Sequence, residues 1–234
     1  MNAIVECSQL TKSYRQSAIE VPALRGIDLT VEQGEFASLA GPSGSGKTTL
    51  LNLIGGLDRP TSGTVRLAGK DLGSLGSEAL AALRLDKIGF VFQAYNLVPV
   101  LSAIENVEFV LQLSGVDRRA RRECARAMLR RVGLEGLEDR RPADLSGGQQ
   151  QRVAVARALV SRPVIVLADE PTANLDSRNA EELMTLMSQL NRDSHVTFLM
   201  ATHDPRVIAL TRRHIVITDG RISSDARRAE AAAG

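Results

Sequence analysis

Tryptophan is absent and aromatics make up only 3% of the 234 residues. So few π-faces leave little on which single-stranded nucleic acid could stack. An excess of either charge is missing too. There are 29 Lys and Arg against 27 Asp and Glu, a net +2, which builds no basic footprint for a phosphate backbone. A nucleic-acid partner is therefore not expected. Cysteine is nearly lacking: Cys7 and Cys124 stand far apart and fit no metal-ligand or disulfide spacing. Both are expected to be small buried hydrophobes in a reducing compartment. No apolar run approaches the roughly 20 residues that cross a bilayer, and stretches such as VIVLA (164–168) suit buried strands. The opening MNAIVECSQL has no basic region followed by an apolar one, so no signal peptide is expected. These absences point to the cytoplasm, with any membrane reached through a partner.

What is present is a hydrophobic content of 44%, enough for one substantial core. IVECSQLTKSY and LRGIDLTVEQGEFASLAG alternate like strands, with Gly34 as a turn. TTLLNLIGGL reads as a helix ending near Gly55 and Gly56, and TSGTVRLAG as a short hairpin. Ser77 to Arg84 predicts a helix with Ser77 as its N-cap, followed by the buried strand KIGFVFQ. From Leu101 to Leu137 the pattern is helical. In RRARRECARAMLRRVG, Ala120, Cys124, Ala127, Met128 and Val132 fall at helical spacing and the arginines cover the other face. A solvated face is the default reading of those arginines; contact with a membrane partner or anionic headgroups is the alternative. After LSGGQQQR come a helix, VAVARALVS, and a strand, VIVLADE. Helix AEELMTLMSQLN, strand VTFLMATHD and the strand pair HIVITDGRI follow, and SSDARRAEAAAG is expected to fray. Strands alternating with helices imply an α/β fold with a mainly parallel sheet covered on both faces. One domain over 1–222 is expected, with an inserted helical subdomain at about 72–161 and a flexible tail over 223–234.

GPSGSGKTT, Gly41 to Thr49, matches G-x-x-x-x-G-K-[ST] between a predicted strand and a predicted helix, the context that confirms a phosphate loop. The backbone of Gly41, Pro42, Ser43, Gly44, Ser45 and Gly46 would wrap an anion, with free N–H groups and the helix N-terminus aimed at it. Lys47 is placed for β- and γ-phosphates, the Thr48 hydroxyl for Mg²⁺, and Thr49 for an α-phosphate oxygen. A chance glycine-rich turn is the bland reading, and a dinucleotide fingerprint fails because Lys47 follows Gly46 directly. VIVLADE ends on Asp169 and Glu170. Two acids ending a strand are usually surface caps; beside a phosphate loop, Asp169 suits the Mg²⁺ shell and Glu170 an attacking water. His203 and Gln93 end two further strands, where an imidazole N–H would reach a γ-phosphate and an amide would touch Mg²⁺ or the water. A structural role is the commoner fate of such a histidine.

LSGGQ is a second glycine-rich turn at the start of a helix, and one nucleotide needs one cradle. Taken in order, GPSGSGKTT, Gln93, LSGGQ, VIVLADE, NLD and His203 resemble the nucleotide-binding domain of ABC transporters, from Leu10 to Ile222. The resemblance implies a P-loop NTPase core with an N-terminal antiparallel β part and an inserted α-helical subdomain. It implies a Mg²⁺-dependent ATPase whose copies pair head to tail into an ATP-dependent homodimer. Ser146, Gly147, Gly148 and Gln149 of one copy would then close on the γ-phosphate held by the other. Asp176 would border that interface, and Tyr14 resembles the aromatic that stacks on adenine. The family further implies an integral membrane permease as partner and a peripheral place at the inner face of the membrane. LLNLIGGLDRPTSG, IGFVFQAYNLVP, IENV and ADEPTANLD resemble the lipoprotein-release and macrolide-export group. Ala173 stands where that group usually has Gly, and EFVLQL replaces a segment with Leu-Pro-Leu. The implied function is powering export or mechanical transport across the envelope. A regulatory ATPase of the cell-division kind, or a soluble one acting on DNA or ribosomes, are the other readings.

Overall fold

The computed structural model describes residues 2–16 and 19–228. Its elements form two sheets. The first is antiparallel, in the order β2-β1-β4-β5: β1 (Ala3–Gln16), β2 (Ile19–Glu32), β4 (Ser62–Leu67) and β5 (Lys70–Asp71). The second runs β10-β9-β3-β8-β7-β6: β3 (Phe36–Ala40), β6 (Ile88–Phe92), β7 (Ile165–Asp169), β8 (Thr197–Thr202), β9 (Arg213–Thr218) and β10 (Arg221–Arg227). Five of these strands are parallel and β10 is antiparallel to β9. This is the α/β fold with an antiparallel N-terminal part that the sequence predicts. Gly34, at φ 80, does turn the chain between two strands, and β2 and β3 lie in different sheets.

Burial explains the assignment. In β2 Leu24, Ile27, Leu29 and Val31 are buried, the last three alternating as in a sheet with one wet face, whereas β3 and β8 are buried throughout. Their side chains divide by parity. Ala37, Leu39, Leu167, Leu199 and Ala201 join α1 (Lys47–Ile54) and the antiparallel sheet in one core. Phe36, Val166, Ala168, Phe198 and Met200 face α3 (Ala103–Leu113), α4 (Arg118–Arg131), α5 (Gly147–Leu159) and α6 (Ser177–Ser194) in the other. Phe36 and Phe198 meet edge to face at 5.6 Å there.

The structure corrects several expectations. The predicted insertion at 72–161 is too wide. It contains α2 (Ser77–Lys87) and β6, which belongs to the parallel sheet, so the inserted helices lie between β6 and β7. Even α5 touches the sheet: a Cβ on Gly89 of β6 would lie 2.3 Å from the Ala158 carbonyl oxygen. Ser77 is the first residue of α2 and Gly76 occupies the cap without a side-chain bond. Helix α5 starts at Gly147, inside the LSGGQ motif, because Ser146 and Gln149 form a capping box. The buried stripe of α4 and the turn after it is Ala125, Leu129 and Val132, while Cys124 is exposed and Ala120 and Ala127 face solvent. Helical spacing admits both stripes, and the larger Leu129 with Val132 decides between them. Cys7 is buried as expected. Residues 223–227 do not fray; they complete β10. Arg213, 7% exposed, binds both Glu35 and Asp225 at 2.7 Å, so Asp225 of β10 neutralises a buried cation. The rest of the predicted tail, 229–234, lies outside the described residues.

The final short helix is α7 (Pro205–Leu210). Among the described residues no helix is long and apolar enough to cross a membrane.

Candidate active site

Strand order builds the site. Neighbouring strands lie about 4.8 Å apart, so β3, β8, β7 and β6 set their C-terminal ends in a row. Ala40 pairs with Thr202, Ala201 with Asp169, and Asp169 with Phe92. The residue or loop after each end is then the phosphate loop, His203, Glu170 and Gln93. These ends surround a cavity of about 510 Å³ lined by Pro42, Ser43, Gly44, Gly46, Lys47, Thr48, Thr49, Gln93, Asp169, Glu170, Ala173 and His203.

The loop adopts a backbone that side chains oppose. Gly41 sits at φ 146, and a Cβ there would lie 2.1 Å from the Ile217 carbonyl oxygen of β9. Gly46 sits at φ 107 against Ala23 and Leu24. Lys47, 7% exposed, donates to the carbonyls of Gly41 at 2.8 Å and Pro42 at 2.9 Å. Its ammonium is therefore already folded over the loop. Ser45 Oγ is buried without a hydrogen-bond partner. It lies behind the loop, 2.9 Å from where a Cβ on Gly41 would stand, and does not line the cavity.

Thr48 Oγ1 donates to Asp169 Oδ1 at 3.1 Å across the cavity. Burial, and then the charge of Glu170, push the Asp169 carboxyl above its ordinary pKa, against the bond from Thr48 and the charge of Lys47. A cation placed here would relieve that conflict. Among the described residues no group of three or more His, Cys, Asp or Glu is arranged to hold a metal by itself. A hydroxyl, one carboxylate and the Gln93 amide fit Mg²⁺ only if the phosphates supply further oxygens.

Glu170 has left-handed backbone, φ 46, with its N–H held by the Ala201 carbonyl at 2.9 Å. Its carboxylate meets His203, whose Nδ1 lies 2.7 Å from Glu170 Oε1. The sequence pattern sets the two residues at neighbouring strand ends, and the fold adds their contact.

Gly41 and Ser45 belong to the loop without lining this cavity, and six further predicted residues lie away from it. Ser146, Gly147, Gly148 and Gln149 do not line it. They neighbour the loop after Gln93 and the first turn of α6 instead: Cβ atoms on Gly147 and Gly148 would meet Tyr95 Oη and Asn179 Oδ1, each at 2.9 Å. Asp176 caps α6 by accepting from the Asn179 N–H at 2.9 Å, and that bond holds its carboxyl below the usual range. Tyr14, 39% exposed, donates to Asp58 at 2.9 Å and carries Lys12 over its ring at 4.9 Å.

Other polar residues were not legible beforehand. Gln151 is fully buried and donates from Nε2 to the Pro171 carbonyl at 2.5 Å, tying α5 to the turn after Glu170. Asn106, also fully buried, accepts from Val98 N–H at 2.8 Å and donates to three backbone carbonyls, bracing the segment after Gln93. Only an amide inside an apolar helix face hinted at either.

The ABC transporter family model matches residues 24–173. A lipoprotein-releasing system ATP-binding protein, LolD, of Anaeromyxobacter dehalogenans is 50% identical over 94% of this chain and 93% of its own length. A macrolide export ATP-binding/permease protein, MacB, of Syntrophobacter fumaroxidans is 50% identical over 95% of this chain, which spans only 31% of that protein. Among solved structures, a dimeric post-hydrolysis state of the ATP-binding cassette MJ0796, bound to ADP and Pi, superposes with a TM-score of 0.88 at 42% identity. That match covers 95% of this chain and 98% of the other.

Proposed function

Because the chain belongs to the ABC transporter family, as one of its ATPases, we propose that it is the subunit that powers a separate membrane permease in export or mechanical transport across the envelope. The support for a composite, two-copy site is the separation of the two anion-binding turns. The phosphate loop lines the cavity, and the N-terminus of α5 does not. A second copy, turned head to tail, would bring its Ser146, Gly147, Gly148 and Gln149 over the mouth of the first.

In this reading the loop N–H groups and Lys47 take up the β- and γ-phosphates, Lys47 leaving its carbonyls to do so. Thr48, Asp169 and Gln93 would hold Mg²⁺, which supplies charge compensation on the phosphates. Glu170 orients the attacking water and accepts its proton, while His203 holds that carboxylate in place and then turns toward the γ-phosphate. Asp176 borders the closing interface, and Tyr14 stacks on the adenine beside Thr49. Hydrolysis weakens the charge that bridges the copies, and they part.

An apolar groove of about 750 Å³ between α2, β6 and α3, with Phe90, Phe92, Phe109 and Leu113 in its wall, offers the permease a docking place. That would hold the chain at the cytoplasmic face of the membrane. The likeness to lipoprotein-releasing and macrolide-export proteins supports those cargo classes.

The test is Glu170→Gln in ATP and Mg²⁺, followed by light scattering and by co-purification from detergent-solubilised membranes. A dimer at saturating ATP that carries a polytopic protein is expected. A monomer would count against the composite site. Soluble companions alone would remove the permease. A permease whose cargo does not stimulate ATPase would favour a regulatory role.

A further inference from the structure

Helix α5 begins with the LSGGQ turn and ends three turns later beside the loop that carries Gln93. Arg157, half-buried on α5, donates to the Tyr95 carbonyl at 2.9 Å and to the Asn96 carbonyl at 2.5 Å. Among the described residues no carboxylate pairs with it, so those two carbonyls are what meets its charge. Both carbonyls belong to residues with left-handed backbone, Tyr95 at φ 60 and Asn96 at φ 51. Asparagine adopts that conformation readily, but a bulky tyrosine holds it only when its surroundings enforce it. A planar guanidinium that grips two successive carbonyls is such an enforcement. At the other end of α5, Gly147 has no Cβ and lets Tyr95 Oη approach to within 2.9 Å of where one would stand. The same loop is held from a second side, where Asn174 Nδ2 donates to the Gln93 carbonyl at 2.9 Å.

We infer that Arg157 is a positioning residue that locks the Gln93 loop to the LSGGQ helix, so that the γ-phosphate contact and the turn offered to the second copy move as one body. Arg157 and Asn96 also line the apolar groove, so a partner seated there would press on this lock. The inference rests on the proposed role of Gln93 and goes beyond it by naming what holds Gln93 in register with the other motif.

The experiment is a double-mutant cycle on ATPase kinetics of the full chain: Arg157→Lys, Gln93→Ala and the pair. An ammonium reaches one carbonyl where the guanidinium reaches two. Arg157→Lys is expected to lower kcat about tenfold with KM for ATP within about twofold, since misplacing a reacting group costs turnover and not ground-state binding. In the Gln93→Ala background the same change should have almost no further effect. If the two losses multiply in full, Arg157 acts elsewhere and the inference is overturned. If Gln93→Ala alone leaves kcat intact, the role of Gln93 fails and the inference with it. Should Arg157→Lys not fold, Arg157→Gln, which removes the charge and the two-carbonyl grip, enters the same cycle with the same two outcomes.

Discussion

Two glycine-rich turns, Gly41 to Gly46 and Ser146 to Gly148, use the same residue for different reasons. In the first, Gly41, Gly44 and Gly46 have φ of 146, 79 and 107, and two of them also lie hard against backbone. Glycine there is a condition of folding the loop. In the second, Gly147 and Gly148 are ordinary helical residues with negative φ. Their missing side chains leave room beside Tyr95 and Asn179 and bare the N-terminus of a helix. In the proposed function the first turn would hold a ligand within its own chain, and the second would be kept clear for a second copy.

Alanine at matched positions should break the comparison open. Gly41→Ala puts a Cβ 2.1 Å from the Ile217 oxygen in a region of φ closed to side chains, and is expected to cost about 3 kcal/mol or more. Denaturant unfolding would show it, with soluble expression lost in the extreme. Gly147→Ala meets only the tip of a tyrosine. It should change stability by about 1 kcal/mol or less, yet lower ATP turnover strongly at concentrations where copies pair. If Gly41→Ala folds normally, or Gly147→Ala unfolds, the two turns are not different in kind.

Ser146→Arg sharpens the contrast on function. Nucleotide binding by the single chain should stay within about threefold of the parent, while hydrolysis falls about 100-fold as the cap and the clear approach are lost together. Loss of binding would instead put the LSGGQ turn in its own chain's site.

The smallest expected effect concerns Asp169. Its folded pKa is raised, chiefly by burial. A raised carboxyl favours the folded state below its unfolded pKa and weakens it as pH climbs through the folded value. Asp169→Asn should therefore raise the melting temperature at pH 7 by about 2 °C, with no gain at acid pH, while Mg²⁺-dependent turnover falls. An unchanged or lower melting temperature at pH 7 would mean that the Thr48 bond and Lys47 outweigh burial.

Much of this was readable in advance because the informative signals are local. Buried runs such as FASLA and VIVLAD, bounded by turn residues, read as strands between two covered faces; Asp169 ends one, Glu170, Gln93 and His203 each follow one directly, and Lys47 and Thr48 close the glycine loop that follows FASLA. The misreadings fall where two registers satisfy the same period. Cys124 and Ala125 are equally apolar neighbours on α4, and only the surface each meets decided which was buried. The segment 223–227 looked too polar to order, and a buried Arg213 on another strand gave Asp225 a reason to be there.

By itself the sequence determined which strands are buried, where the phosphate loop begins, and which acids end the strand beside it. Hydrophobic period and glycine spacing act over a few residues, and nothing distant alters them. Tertiary structure alone decided that His203 meets Glu170 and that Arg157 grips the loop of Gln93. Each depends on side chains tens of residues apart, brought together by strand order and helix packing, which no local pattern encodes.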